Sequence, residues 1–225
     1  TLNPSSAASD VYKRQVQLDN EIEEFGFVPS GASTGSKEAV EKRDGGKSFN
    51  GKGVKGVIDD ADKILFPQFL GMDVRDQLSI DQKIIELDGT QNKANFGANV
   101  TLALSLAVCK AAASAENKKL YLYINSLFKN FFDLNIQMKM PLPMMNILNG
   151  GAHANNGLDF QEFMIQPVGF SSFKEGLTCG VEVFNSLKNT LNKKGFSTAV
   201  GDEGGFAPEI NSSEEALSLI SEAIA

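Results

Sequence analysis

The chain has 225 residues, of which 42% are hydrophobic and 22% charged, and it carries a formal net charge of -7. These values are typical of a globular protein with one or two domains, and they exclude a disordered or fibrous chain. Because the chain is acidic, it lacks the broad cationic face that neutralises the phosphates of nucleic acids. We therefore expect no general nucleic-acid binding. The longest nearly apolar run, 100–109, is shorter than the roughly 20 residues of a membrane span, and we expect no such span.

Cysteine usage indicates the cellular compartment. Cys109 and Cys179 lie in apolar helical contexts without the spacing of a metal or redox motif, and no signal-peptide pattern opens the chain. We therefore expect a cytoplasmic protein whose two thiols are small core side chains.

The first half of the chain predicts a small domain of strands and helices. Residues 1–15 show neither a helical nor a strand period, and we interpret them as a disordered or foreign leader. After them the hydrophobic period predicts two extended segments within 16–28 that turn near Asp19 and Asn20, a flexible Gly-flanked loop at 29–35, and helices at 54–65, 80–87 and 99–116.

In the second half, short apolar runs bounded by Gly or Pro alternate with helical periods. The predicted strands are 142–148, 160–166 and 197–200, and the predicted helices are 173–191 and the stretch from Ser212 onwards, which opens with a capping box. Strands alternating with helices favour an α/β sheet or barrel, with too few strands here to close a barrel. The segment 133–139 is the predicted domain boundary.

The loop 149–157 joins two predicted strands and carries His153, the one histidine of the chain. A lone histidine in a loop is more often a solvated residue than a catalytic one. The following strand favours chemistry, because it places Gln161 and Glu162 within an apolar run, where a carboxylate is costly unless it is paired or bound. The alternative for Glu162 is a solvated position at the end of the strand.

A second acidic group, Asp202 and Glu203, follows the predicted strand 197–200 directly and lies between glycines. In a β/α barrel, groups at the carboxyl ends of strands face the active site. If Glu162 and Glu203 converge there, their mutual repulsion favours keeping one of them protonated, as a general acid requires. An acidic turn that only caps a helix would have a similar sequence.

Six segments, in order along the chain, resemble the enolase family, the phosphopyruvate hydratases of glycolysis, in their bacterial form. They are VPSGASTG at 28–35, EKRDG at 41–45, LDGTQNK at 87–93, PMMNILNGGAHANN at 143–156, FQEFMIQPVG at 160–169 and TAVGDEGGFAP at 198–208. The resemblance runs from about Val16 to the last residue. It implies an α/β fold in which an α+β capping domain, 16–133, precedes the first part of a TIM-like β/α barrel, 134–225.

The resemblance also implies an activity, the reversible dehydration of 2-phosphoglycerate to phosphoenolpyruvate by a hydro-lyase with two Mg²⁺ ions in each active site. By position, Glu203 resembles the acid that protonates the departing 3-hydroxyl, and Glu162 resembles its partner carboxylate. Gln161, Glu162 and His153 resemble residues that contact the substrate. Ser33 resembles a ligand of the second Mg²⁺.

Two departures from the family pattern lead to further expectations. Residues 1–15 take the place of the family's first strand and match none of its patterns, and the acidic ligands of the first Mg²⁺ and the lysine base have no counterpart before Ala225. We therefore expect an incomplete fragment, with about half of the barrel missing and no hydratase activity on its own.

Two hypotheses for the product follow. It is a Mg²⁺-dependent lyase, or part of one, acting as a homodimer or larger homo-oligomer on 2-phosphoglycerate and phosphoenolpyruvate in the cytoplasm. The alternative, by family analogy, is a non-catalytic binding or structural protein, with a possible surface or secreted pool. The presence of Ser33, His153, Glu162 and Glu203 favours the first as ancestry.

Overall fold

A computed structural model describes residues 6–8, 11–31 and 35–225. The chain divides into two compact units, Thr1–Gln137 and Met138–Ala225. The division falls inside the segment 133–139, where the sequence predicts a boundary. Each unit is described by itself below.

The first unit, in its described part, contains a three-stranded antiparallel sheet in the order β1-β2-β3 and four α-helices. The strands are β1 (Ser6–Ala8), β2 (Val11–Gln17) and β3 (Glu23–Pro29), and the helices are α1 (Lys55–Asp60), α2 (Gln77–Asp88), α3 (Ala98–Ala115) and α4 (Leu120–Phe132). Helix α1 continues into a π-helical turn, Ala61–Leu65, and then a 3-10 turn, Phe66–Phe69.

The prediction that residues 1–15 form a disordered or foreign leader is wrong on disorder for residues 6–8 and 11–15, which belong to β1 and β2. Tyr12, Arg14 and Val16 alternate along this strand and are all buried. The Arg14 guanidinium forms an ion pair with Asp62 at 3.0 Å and lies 3.6 Å from the centre of the Phe66 ring. A buried cation hides the apolar alternation that identifies a strand in a sequence.

Helix α3 is the central helix of the first unit. It packs against β2 and β3, and its long apolar run includes Val100 and Leu104, which are fully buried. By length and composition α3 could cross a membrane, but 56% of its residues are buried within the protein, as in a core helix. A membrane-spanning helix and a buried core helix can have the same composition, so the predicted absence of a membrane span stays a prediction.

The helices predicted at 80–87 and 99–116 are confirmed as α2 and α3. Helix α2 begins where the Asp76 carboxylate accepts a hydrogen bond from the Ser79 amide, and it ends at Gly89 in the left-handed conformation. Helix α4 is not among the helices predicted from the sequence. Tyr123 is its buried side chain, while apolar residues such as Tyr121 and Ile124 remain exposed.

The second unit contains a two-stranded antiparallel sheet and two long helices. These are β4 (Met145–Asn149), β5 (Glu162–Ile165), α5 (Phe173–Lys193) and α6 (Ser213–Ile224). The sheet face that carries Leu148 and Phe163 packs with α5 and α6 in one apolar core. As predicted, the Ser212 side chain caps α6 by accepting a hydrogen bond from the Glu215 amide at 3.1 Å.

The predicted strand 197–200 does not form as a strand. Ser197 Oγ accepts a hydrogen bond from the Ala199 amide, and of the segment 197–200 only Val200 makes a β-bridge, to Phe206. The chain instead turns back over 201–205, and Phe206 forms a parallel bridge with Leu148 of β4. Residues 138–225 therefore form an open sheet with helices and no closed barrel.

Candidate functional site

Two loops of the second unit meet at the end of β4. The first follows β4 and contains the 3-10 turn Gly151–His153. The second is the turn 201–205, which precedes the bridge of Phe206 to β4. The Asp202 amide donates a hydrogen bond to the His153 carbonyl at 3.2 Å, and this bond joins the two loops.

Glycines allow this close approach. A Cβ atom added at Gly201 would lie 2.5 Å from the His153 carbonyl oxygen, and one added at Gly205 would lie 2.8 Å from the Leu148 nitrogen. Real Cβ atoms do not approach backbone so closely, so a side chain at either position would force the loops apart. These two glycines bring Glu203 next to the β4 loop.

The side chains of His153, Glu162 and Glu203 converge at this point, with ligand-type atoms all within 4.8 Å of one another. His153 Nδ1 lies 3.5 Å from Glu203 Oε2 and 3.8 Å from Glu162 Oε1. The imidazole side chain is only 3% exposed, whereas the two carboxyl groups are 30% and 38% exposed. The histidine thus forms the floor of the site, and the carboxyl groups are open to a ligand.

The two carboxyl groups are coupled. A hydrogen bond with Glu203 raises the pKa of Glu162, and desolvation and the charge of Glu203 raise this pKa further, while His153 opposes the shift. Two carboxyl groups can share a hydrogen bond only when one of them holds a proton. The pair can therefore carry a transferable proton at a pH where an ordinary glutamic acid has lost it.

The structure brings together three of the predicted site residues, His153, Glu162 and Glu203. Gln161 is exposed beside the loop, where its Cγ would lie 2.8 Å from a Cβ atom added at Gly151, and its carbonyl oxygen accepts a hydrogen bond from the Gly150 amide. Ser33 lies outside the described residues. The roles that the resemblance implies for these residues stay predictions.

A further residue of the site, not predicted from the sequence, is Asn146 of β4, whose Nδ2 donates a hydrogen bond to Glu203 Oε2 at 3.2 Å. Asn146 is a polar residue within a short apolar strand, and this pattern could have indicated a functional position. The same pattern identified Glu162. A neutral amide is less costly to bury than a carboxylate, so the pattern is a weaker indication at Asn146.

The trio of His153, Glu162 and Glu203 does not fit Mg²⁺ well. Mg²⁺ takes oxygen ligands in a near-octahedral arrangement, whereas one of the three donors here is an imidazole nitrogen, which suits transition metals better. The two carboxyl groups are already in contact with one another through a hydrogen bond. As an isolated group of three ligands, the trio is therefore poorly suited to Mg²⁺.

Comparison with known protein families covers almost the whole chain. Residues 5–124 match the family model described as "Enolase, N-terminal domain", and residues 137–225 match the one described as "Enolase, C-terminal TIM barrel domain". The first match begins at residue 5, so the expectation that residues 1–15 match nothing in the family is wrong for 5–15. The mixed α/β fold described above agrees with both matches. The chain belongs to the enolase family.

Proposed function

We propose that this chain is part of an enzyme that catalyses the reversible dehydration of 2-phosphoglycerate to phosphoenolpyruvate, and that the enzyme is of the bacterial type whose motifs the chain resembles. The observation that supports this proposal is the carboxyl pair formed by Glu162, the first residue of β5, and Glu203, in the turn 201–205, held next to a buried histidine. An acid that keeps a proton near neutral pH is what the loss of a hydroxyl group requires.

In the dehydration direction, a base takes the proton from carbon 2 of 2-phosphoglycerate, and the bond between carbon 3 and its hydroxyl oxygen breaks. Glu203 donates a proton to that oxygen, so that water leaves and the double bond forms between carbons 2 and 3. Glu162 shares the proton and the residual negative charge with Glu203. His153, beneath both carboxyl groups, opposes the rise in the pKa of Glu162, and by the resemblance it contacts the substrate.

Membership of the enolase family implies a dependence on Mg²⁺, which supplies positive charge beside the substrate carboxylate when it is bound. By the resemblance, Ser33 is a ligand of the second of two ions. The described residues at the carboxyl pair act on protons only.

The base for carbon 2 is not among the partners of the carboxyl pair. In the described part of the chain, the basic side chain beside Glu162 and Glu203 is that of His153, and neither carboxyl group forms an ion pair with a lysine or arginine. A base must lie within hydrogen-bond reach of the proton that it takes. We therefore expect the 225-residue chain alone to form no phosphoenolpyruvate from 2-phosphoglycerate, even with excess Mg²⁺, and the ultraviolet absorbance of the enol product tests this directly.

The decisive test is Glu203→Gln in a full-length enolase that contains these residues. We expect loss of dehydration with retention of hydrogen exchange at carbon 2, because only the proton donor for the leaving hydroxyl is removed. Product absorbance measures the first reaction, and uptake of deuterium from heavy water measures the second. The matched control is Glu209→Gln, the same change at an exposed residue close by, which should leave both rates unchanged. Parallel loss of both reactions in Glu203→Gln would contradict its role as the leaving-group acid.

The same proposal includes the cellular compartment, the substrates and the assembly of the enzyme. Cys109 and Cys179 are both free thiols, which supports a reducing compartment such as the cytoplasm. The proposed substrates are 2-phosphoglycerate and phosphoenolpyruvate, and the proposed assembly is a homodimer or larger homo-oligomer by family resemblance.

A further inference from the structure

Asn146 owes its position to an irregularity in β4. Asn146 pairs with Met164 of β5, but the next pair is Leu148 with Phe163, so Ile147 is an extra residue in the ladder. Side chains alternate between the faces of a regular strand, and Asn146 and Asn149 would then lie on opposite faces. The bulge places both on the face of Glu162, while Leu148 remains on the core face.

The side chain of Asn146 makes one hydrogen bond among the described residues, from Nδ2 to Glu203 Oε2 at 3.2 Å. Its Oδ1 atom is buried and has no hydrogen-bond partner in that part of the chain. A buried amide oxygen without a partner is unfavourable, and an apolar residue of similar size would avoid this cost. The amide at this position is therefore better explained by its contact with Glu203 than by the stability of the strand.

An amide is suited to a partner that gains and loses a proton. Its NH₂ group donates to an ionised carboxylate, and after a half-turn about the terminal bond its oxygen accepts from a protonated carboxyl group. An aspartate would repel the ionised form, and an apolar side chain would hold neither form. Asn146 can thus keep the Glu203 carboxyl in one place through both halves of a proton transfer.

We propose that Asn146 is a positioning residue that holds the Glu203 carboxyl group against Glu162. Its significance for catalysis rests on the proposed function, but the contact itself does not. The groups that face Glu203 are Asn146 from β4, Glu162 from β5 and His153 from the 3-10 turn. The hydrogen bond from Asn146 keeps the Glu203 carboxyl group within reach of Glu162, and the hydrogen bond between the two carboxyl groups raises the pKa of Glu162.

The experiment uses the 225-residue chain itself and needs no turnover. In the unmodified chain, labelled with ¹⁵N at asparagine and ¹³C at the glutamate carboxyl groups, NMR follows side-chain signals as the pH is varied. We expect the Asn146 NH₂ signals to shift over the same pH range as the titration of the Glu162 carboxyl, and those of Asn189, exposed on α5, to stay constant. Asn146 signals that ignore this titration would overturn the proposal, and no variant has to fold for that result.

Variants then measure the size of the effect. In Asn146→Ala the raised pKa of Glu162 should fall towards the ordinary value of a glutamic acid, because the Glu203 carboxyl group is no longer held against it. Asn189→Ala is the matched control and should leave this pKa unchanged. An unchanged pKa of Glu162 in a folded Asn146→Ala chain contradicts the proposal, whereas failure of the dehydration assay bears only on the proposed function.

Discussion

Arg14 is a buried cation in the first unit, held by one carboxylate and one aromatic ring. Its side chain is 1% exposed, against 33% for its partner Asp62. Burial lowers the pKa of the Arg14 guanidinium, and the charge of Asp62 opposes this effect. The guanidinium therefore depends on Asp62 for compensation of its lost hydration.

We predict that Asp62→Asn destabilises the first unit by about 1–3 kcal/mol, because it leaves the buried Arg14 cation without a counter-charge. The loss is moderate because solvent reaches the side chain at position 62. Urea unfolding measures the change. Asp59→Asn, the same substitution at an exposed residue of α1, is the control and should alter the free energy of unfolding by less than about 0.5 kcal/mol. Equal effects of the two substitutions would contradict a role for the ion pair.

Glu162 gives a prediction about stability and pH. Its pKa is raised in the folded protein, mainly by the hydrogen bond with Glu203, so the folded state holds this proton more tightly than the unfolded state does. The contribution of Glu162 to the free energy of unfolding is therefore greatest below its ordinary pKa. It falls as the pH rises through the raised value and is constant above it.

Glu162→Gln should remove this dependence. Urea unfolding of the wild-type chain, Glu162→Gln and the control Glu209→Gln over a series of pH values measures it. Relative to the wild type, Glu162→Gln should gain stability as the pH rises through the raised pKa. A constant difference between the two across that range would show that the carboxyl pair is not coupled in the folded chain.

The residues that meet in the candidate site could largely be predicted from the sequence, because His153, Glu162 and Glu203 are ionisable residues in apolar or glycine-rich surroundings. Arg14 could not, because a cation in a strand is usually solvated, and only Asp62 and Phe66, about fifty residues away, make its burial acceptable. Asn146 could not be paired with Glu203 either, because the bulge that directs its side chain depends on the register with β5.

The contact between β3 and α3 determines how the first unit packs. A Cβ atom added at Gly26 would lie 2.0 Å from the Ala103 carbonyl oxygen and 3.0 Å from the Ala107 nitrogen. Both are backbone atoms of a buried helix, so neither can move aside alone. The Lys110 ammonium also donates to the Phe25 carbonyl at 2.9 Å across the same contact.

We predict that Gly26→Ala destabilises the first unit by about 3 kcal/mol, because β3 must move away from α3 to accommodate one methyl group. The control is Gly35→Ala, where the new Cβ would meet only the flexible end of the Glu38 side chain. Urea unfolding and the near-ultraviolet circular dichroism of the aromatic side chains test both variants. A mild effect of Gly26→Ala, similar to that of Gly35→Ala, would show that this contact is not tight.

Elements with a strong single period, such as α5 and α6, follow from the sequence because one apolar face is enough to specify them. The elements that were predicted wrongly have local causes. The segment 197–200 was predicted as a strand, but the Ala199 amide donates a hydrogen bond to Ser197 Oγ and the chain turns back at 201–205, so the segment does not pair as a strand. In β2 the first half was missed because Arg14 occupies a core position.

Among the described residues, two large apolar cores correspond to the two units, and a third, small cluster surrounds Tyr123 in the first unit. One large core contains Leu104 and Phe66, and the other contains Leu148 and Leu187. The segment between α4 and β4 is exposed at almost every residue and forms no helix or strand. Such a segment satisfies its backbone with water, so a cut there should leave both cores intact.

We predict that a recognition site for a specific protease, inserted after Asn135 and then cleaved, leaves the far-ultraviolet circular dichroism nearly unchanged. The NMR spectrum of the mixture should equal the sum of two folded spectra. As a control, the same site inserted after Gly45, in an exposed loop of the first unit, tests the effect of insertion alone. Collapse of either spectrum after cleavage at 135 would show that the two cores depend on one another.

The exposed segment between the units also has a chemical consequence. Met140 and Met144 are 70% and 64% exposed, in contrast to the partly buried Met72 and Met145. Peroxide would therefore add oxygen to the thioethers of Met140 and Met144 early, converting apolar side chains to polar sulfoxides. Oxidation of Met140 and Met144 would appear as a stepwise gain in mass of the peptide that contains them, before any oxidation of the partly buried Met72 and Met145.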